Sequence, residues 1–93
     1  MATPTLTSLV SVTEDVLFQE LQGEAVLLHL KSSVYYGLNG VGTRIWSLLR
    51  EGHDLKAVVL AIVEEFDVDE ATCESDVLRL VGELENIGLV RVE

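Results

Sequence analysis

The chain has 93 residues, 48% of them hydrophobic, which suits one domain with one small core and leaves too little for a second. Sixteen acids against six lysines and arginines give a net charge of −10, which argues against a nucleic-acid partner and against docking on anionic lipid, since both need a cationic surface. The single cysteine, Cys73, leaves no internal disulfide, and one cysteine with two histidines makes a poor zinc set, so neither a metal nor a cofactor is expected.

The first eight residues are mostly polar, and 1–8 is expected to be flexible, with 9–93 forming a single domain. The start of the chain carries no basic residue and no signal-type apolar run. No stretch reaches the roughly 18–20 apolar residues of a membrane helix, so no membrane contact is expected and the expected location is cytoplasmic. Leu9 to Val12 is a candidate short strand. Val16 to Leu21 and Ala25 to Leu30 are strand-like runs separated by Gln22-Gly23-Glu24, a hairpin spacing with glycine in the turn. Lys31-Ser32-Ser33 is a second short connection, and Val34 to Leu38 follows as the third strand of an antiparallel set.

Asn39 fits a helix N-cap, and Val41, Ile45, Leu48 and Leu49 then recur at helical spacing. Gly52 ends this helix, and Asp54 can cap the next. Leu55, Val58, Val59, Ile62, Val63 and Phe66 form its apolar stripe. Asp69 or Thr72 starts a third helix with the stripe Cys73, Val77, Leu80, Val81, Leu84 and Ile87, stopped at Gly88. Leu89 to Val92 is a candidate closing strand. The predicted fold is α+β: a winged helix-turn-helix-like domain with an antiparallel sheet of about three strands packed on three helices.

No catalytic set emerges. His29 alternates with leucines in a strand, and His53 sits in a helix connection. Cys73 lies on an apolar stripe with no histidine in helical reach to activate it, so it reads as a small buried hydrophobe. Gly37, Gly40 and Gly42 lack the Lys and Ser/Thr that follow them in a phosphate loop. The architecture is shared with DNA-binding winged helices, but the third helix carries Asp69, Glu70, Glu74, Asp76, Glu83 and Glu85 against Arg79, which would repel a phosphate backbone.

The remaining opening is the Val34–Leu38 strand. As the last strand before the helices it is an edge with unpaired N–H and C=O groups, suited to capturing an extended peptide or a second copy of the chain. The third helix has apolar surface beyond one core stripe, with Leu78 off the main line on the flank of Val81. A transcription regulator and an edge-paired homodimer are the other readings.

The run Val34-Tyr-Tyr-Gly-Leu-Asn39, then Gly-Val-Gly-Thr-Arg-Ile-Trp-Ser-Leu-Leu49 and Glu51-Gly52-His53-Asp54, resembles the PqqD-like family. So does the later pattern Val77-Leu-x-Leu-Val81, Leu84 and Ile87-Gly-Leu-Val90. The resemblance covers about Val16 to Val92. It implies a non-enzymatic recognition element that binds the leader segment of a ribosomally made precursor peptide as an added strand, in a groove between the third strand and the third helix. Carried onto this chain, it implies peptide-binding residues Ser33, Val34, Tyr35, Tyr36, Gly37 and Leu38 on the strand. On the helix it implies Cys73, Val77, Leu78, Leu80, Val81 and Leu84. It further implies, as partners, the leader peptidase and macrolactam cyclase of lasso-peptide biosynthesis. A PqqD-type peptide chaperone for a radical-SAM enzyme is the nearest alternative.

Overall fold

The computed structural model describes residues 4–93. Its elements follow the order β1 (Val10–Val12), β2 (Val16–Leu21), β3 (Glu24–His29), β4 (Val34–Leu38), α1 (Gly40–Arg50), α2 (Leu55–Phe66), α3 (Glu70–Asn86) and β5 (Val90–Val92). This is the expected α+β arrangement of three helices and antiparallel strands.

Turn chemistry sets the register of the main sheet. Gln22 and Gly23 both have positive φ (56° and 81°), the two-residue hairpin geometry that matches strand twist, so β2 and β3 pair from Leu21↔Glu24 to Val16↔His29. The next turn is longer, because Leu30 leaves the strand. Ser33 adopts φ 59° and its N–H donates to the His29 carbonyl at 2.8 Å. His29 Nδ1 lies 2.8 Å from Ser32 Oγ, so this histidine braces the turn. Pairing of β4 with β3 then runs from His29↔Val34 to Ala25↔Leu38.

Alternation sends one set of side chains inward. Phe18, Leu27 and Tyr36 lie in a single cross-strand row facing the helices. The helices start where the sequence places a short polar side chain. Asn39 accepts from the Gly42 N–H at 2.8 Å, Asp54 from Ala57 at 2.8 Å and Asp69 from Thr72 at 3.0 Å. Each such cap is worth about 1 kcal/mol. Leu55, Val58, Val59 and Ile62 of α2 and Cys73, Val77, Val81 and Leu84 of α3 are buried, as their stripes predict, while Leu80 and Ile87 are half-buried and Phe66 is largely exposed. Trp46 is the largest buried side chain, so the tryptophan belongs to the core.

Two features rest on contacts between distant segments. β1 and β5, both candidate strands in the sequence, form a two-stranded sheet of their own, Val10↔Val92 to Val12↔Val90. Their pairing joins segments some 80 residues apart, which local sequence does not encode. The second lies in residues 4–8, part of the segment 1–8 for which flexibility is the expectation. Leu6 packs on the core and its carbonyl accepts from the Lys56 N–H at 3.0 Å; Ser8 is buried and its Oγ accepts from the Thr5 N–H. The part of that expectation that falls on residues 1–3 lies outside the described residues.

Candidate peptide-binding groove

The strand order β2-β3-β4 leaves one side of β4 unpaired among the described residues. The strand Val34-Tyr-Tyr-Gly-Leu38 carries no charge and no proline, the usual devices that blunt an edge. Beside it, α3 and β4 form the long walls of a cleft of about 410 Å³. Leu38, Val41, Ile45, Ile62, Val68, Cys73, Val77 and Leu80 give it an apolar lining, contributed by β4, by all three helices and by the α2–α3 link. Gly42 keeps the packing loose enough there: a Cβ at this position would sit 3.2 Å from Leu38 Cδ2 and 3.3 Å from the Asn39 cap oxygen, so either neighbour would have to shift slightly.

The α3 wall also has a polar flank. Asp76, Arg79 and Glu83 line the cleft, with Arg79 Nη2 3.5 Å from Asp76 Oδ1. Glu83 accepts a hydrogen bond from the Tyr36 hydroxyl, which therefore spans from strand to helix. The Tyr36 phenol is pushed up to about 12, first by burial, then by its bond to Glu83 and the charge of that carboxylate, with Arg79 opposing. Burial also raises the Cys73 thiol, helped by Asp76 and Glu70. Its Sγ lies 3.8 Å from the Val59 carbonyl, and no histidine lines the cleft to activate it. Among the described residues, no group of three or more His, Cys, Asp or Glu could hold a metal ion.

The sequence-predicted site residues divide. Tyr36, Gly37, Leu38, Cys73, Val77 and Leu80 are brought together around the cleft. Val34 shares the inward face of β4, Tyr35 points outward at 70% exposure, and Ser33 sits in the preceding turn. Leu78, Val81 and Leu84 are not in the lining. Val81 and Leu84 are fully buried in the core, and Leu78 packs on the core from elsewhere. Helix geometry explains this. At about 100° per residue, Leu80 lies roughly 60° to one side of Val77 and Leu78 roughly 100° to the other, so widening the apolar stripe toward Leu78 moves away from β4. Residues the sequence reading missed include Asp76, Arg79 and Glu83, spaced i, i+3 and i+7 on the correct flank. Asn39, Val41, Gly42 and Ile45 also line the cleft, since α1 springs directly from the end of β4.

The outward face of the same sheet is apolar too. Leu17, Leu28 and Tyr35 form one cross-strand row, and Leu21 and Val26 are exposed nearby. This face has no helix over it, and a hollow of about 630 Å³ opens beside Val26 and Gly37.

Residues 24–90 match the family model described as coenzyme PQQ synthesis protein D (PqqD). The chain belongs to the PqqD family. No curated protein matches it in sequence. Among solved structures it is similar to TbiB1 in complex with the TbiA(beta) leader peptide, with 40% identity and a TM-score of 0.82, covering 87% of this chain and 94% of that one. It also shares its fold with lasso peptide synthetase B1 complexed with the leader peptide, at 24% identity and a TM-score of 0.80, covering 88% and 96%. Among the described residues of this PqqD-family domain, no helix is long and apolar enough to cross a membrane.

Proposed function

We propose that this PqqD-family chain binds the leader segment of a ribosomally made precursor peptide by strand addition to β4, in the groove with α3, without catalysing a reaction. The observation that carries this is the uncharged free edge of β4 lying against an apolar helix flank, in a chain 40% identical to a protein solved with a leader peptide on it. Main-chain hydrogen bonds supply generic affinity, and the apolar lining selects side chains. The acidic surface speeds encounter with basic partners more than it tightens the complex.

The bound leader is then presented to a leader peptidase and a macrolactam cyclase of lasso-peptide biosynthesis. The apolar row Leu17, Leu28 and Tyr35, exposed at Leu17 and Tyr35, supports this, because strand addition at the edge leaves that face free for an enzyme. Presentation to a radical-SAM enzyme is the second reading, favoured by the PqqD family description. Fluorescence anisotropy with labelled TbiA(beta) leader tests the binding step. Saturable binding that is weakened by proline at Tyr35 or Tyr36 is expected. Undiminished binding in both folded proline variants would overturn edge capture. Sedimentation with and without the peptide separates it from homodimerisation through the same edge.

A further inference from the structure

The lining of the groove ends at a tie between strand and helix. The Tyr36 hydroxyl, from the middle of β4, donates to Glu83 Oε2 at 2.5 Å, joining strand and helix across 47 residues of sequence. No β4 residue before Tyr36 and no α3 residue after Glu83 lines the groove. The bond therefore marks a boundary: Leu38, Cys73 and Val77 give apolar surface on one side of it, and the lining stops on the other. Because the phenol holds its proton far above neutral pH, Tyr36 stays the donor and the Glu83 carboxylate accepts.

We infer that the Tyr36–Glu83 bond is the stop that sets the register of a leader strand in this groove, by rejecting a large apolar side chain at the leader position lying over it. The inference rests on the peptide-binding reading above. Side chains of an added strand alternate, so a slip that keeps the same face inward moves the peptide by two residues, about 6.8 Å. Such a slip past the bond would press an apolar group onto an ionised carboxylate that otherwise faces water, or break its bond to Tyr36, and both are unfavourable. On the Leu38 side the same side chain meets the apolar surface of Leu38, Cys73 and Val77, with Asp76 at its flank. Tyr36 and Glu83 are thus positioning residues, and the leader residue above them is small or polar.

The test is a leucine scan of the TbiA(beta) leader, each position replaced in turn, titrated against wild type, Tyr36→Phe and Glu83→Ala. Phenylalanine keeps the ring, and Glu83 is exposed, so both variants retain the fold, which thermal melting checks. In wild type, leucine at one position weakens binding by about tenfold or more. In both variants that single penalty falls to within about twofold, while the rest of the scan keeps its shape. A bond with only a structural role would shift every peptide by one common factor, and scan profiles parallel to wild type would overturn the inference. So would a wild-type scan with no intolerant position. If no peptide binds wild type, the peptide-binding reading itself fails and the register stop falls with it.

Discussion

The three-stranded sheet has two open edges, and they are built differently. β2 carries Glu20, follows Glu14 and Asp15, and meets α1 through Arg50, whose guanidinium lies 5.6 Å from the Phe18 ring centre. β4 carries no charge and has α3 alongside, with a cleft between them. Free backbone groups are common to both, so an unpaired edge does not by itself make a site. In the proposed reading the wall beside β4 makes the difference, by adding side-chain selection to generic main-chain pairing and by shielding those hydrogen bonds from water.

The sharpest way to break this contrast is to charge the wall. Leu80→Glu places a carboxylate on the apolar flank at a half-buried position, so the fold survives while affinity for the TbiA(beta) leader falls by about 100-fold, measured by anisotropy beside a melting curve. Prolines compare the edges directly. At Tyr35 or Tyr36, the proline that removes a free-edge donor weakens binding by about tenfold, whereas prolines at Gln19 or Glu20 in β2 leave folded variants within about twofold. Cys73 reports on occupancy of the groove. Its raised thiol leaves little thiolate at neutral pH, so iodoacetamide labelling is slow there and accelerates with pH beyond the ordinary thiol range. Saturating leader should slow it by a further factor of about five, followed by mass spectrometry.

The smallest effect concerns the tie between edge and wall. An unfolded tyrosine ionises near 10, while Tyr36 in the fold does so at about 12. The unfolded state therefore loses its phenolic proton first, and the stability that Tyr36 contributes is complete below pH 10 and lost as pH rises toward 12. Urea unfolding of wild type and Tyr36→Phe between pH 9 and 11.5 should show their difference shrinking along that interval. A constant difference would mean that the bond contributes nothing.

Local chemistry made most of the fold legible. Asn39 and Asp54 cap the helices they were expected to cap, Asp69 rather than the alternative Thr72 caps the third, and Val34–Leu38 is the strand as predicted. These signals act over three or four residues, so sequence order preserves them. The β1–β5 pairing and the packing of Leu6 and Ser8 depend on contacts between distant segments, and no short pattern records them. At the site, the apolar stripe of α3 was visible, but which flank turns toward β4 depends on how the helix is rotated in the assembled domain. For that reason Leu78 was placed in the groove while Asp76, Arg79 and Glu83 were seen only as surface charge. Tyr35, Tyr36 and Trp46 lie within about a dozen residues of one another in sequence. The strand pleat and the core divide them, with Tyr35 outward, Tyr36 in the groove and Trp46 buried.

The small β1–β5 sheet carries a different lesson. Val10 pairs with Val92, and the Glu93 N–H donates to the Leu9 carbonyl at 2.9 Å, so the two ends of the domain meet at one clasp. Neither strand lines the groove. A short linker across that clasp, with new ends opened at the exposed Gly52 turn, would give a circularly permuted chain whose recognition surface is unchanged. By the same geometry, a passenger domain grafted at either end would hang from one shared point. The first and last strands thus share one anchoring point, set apart from the groove.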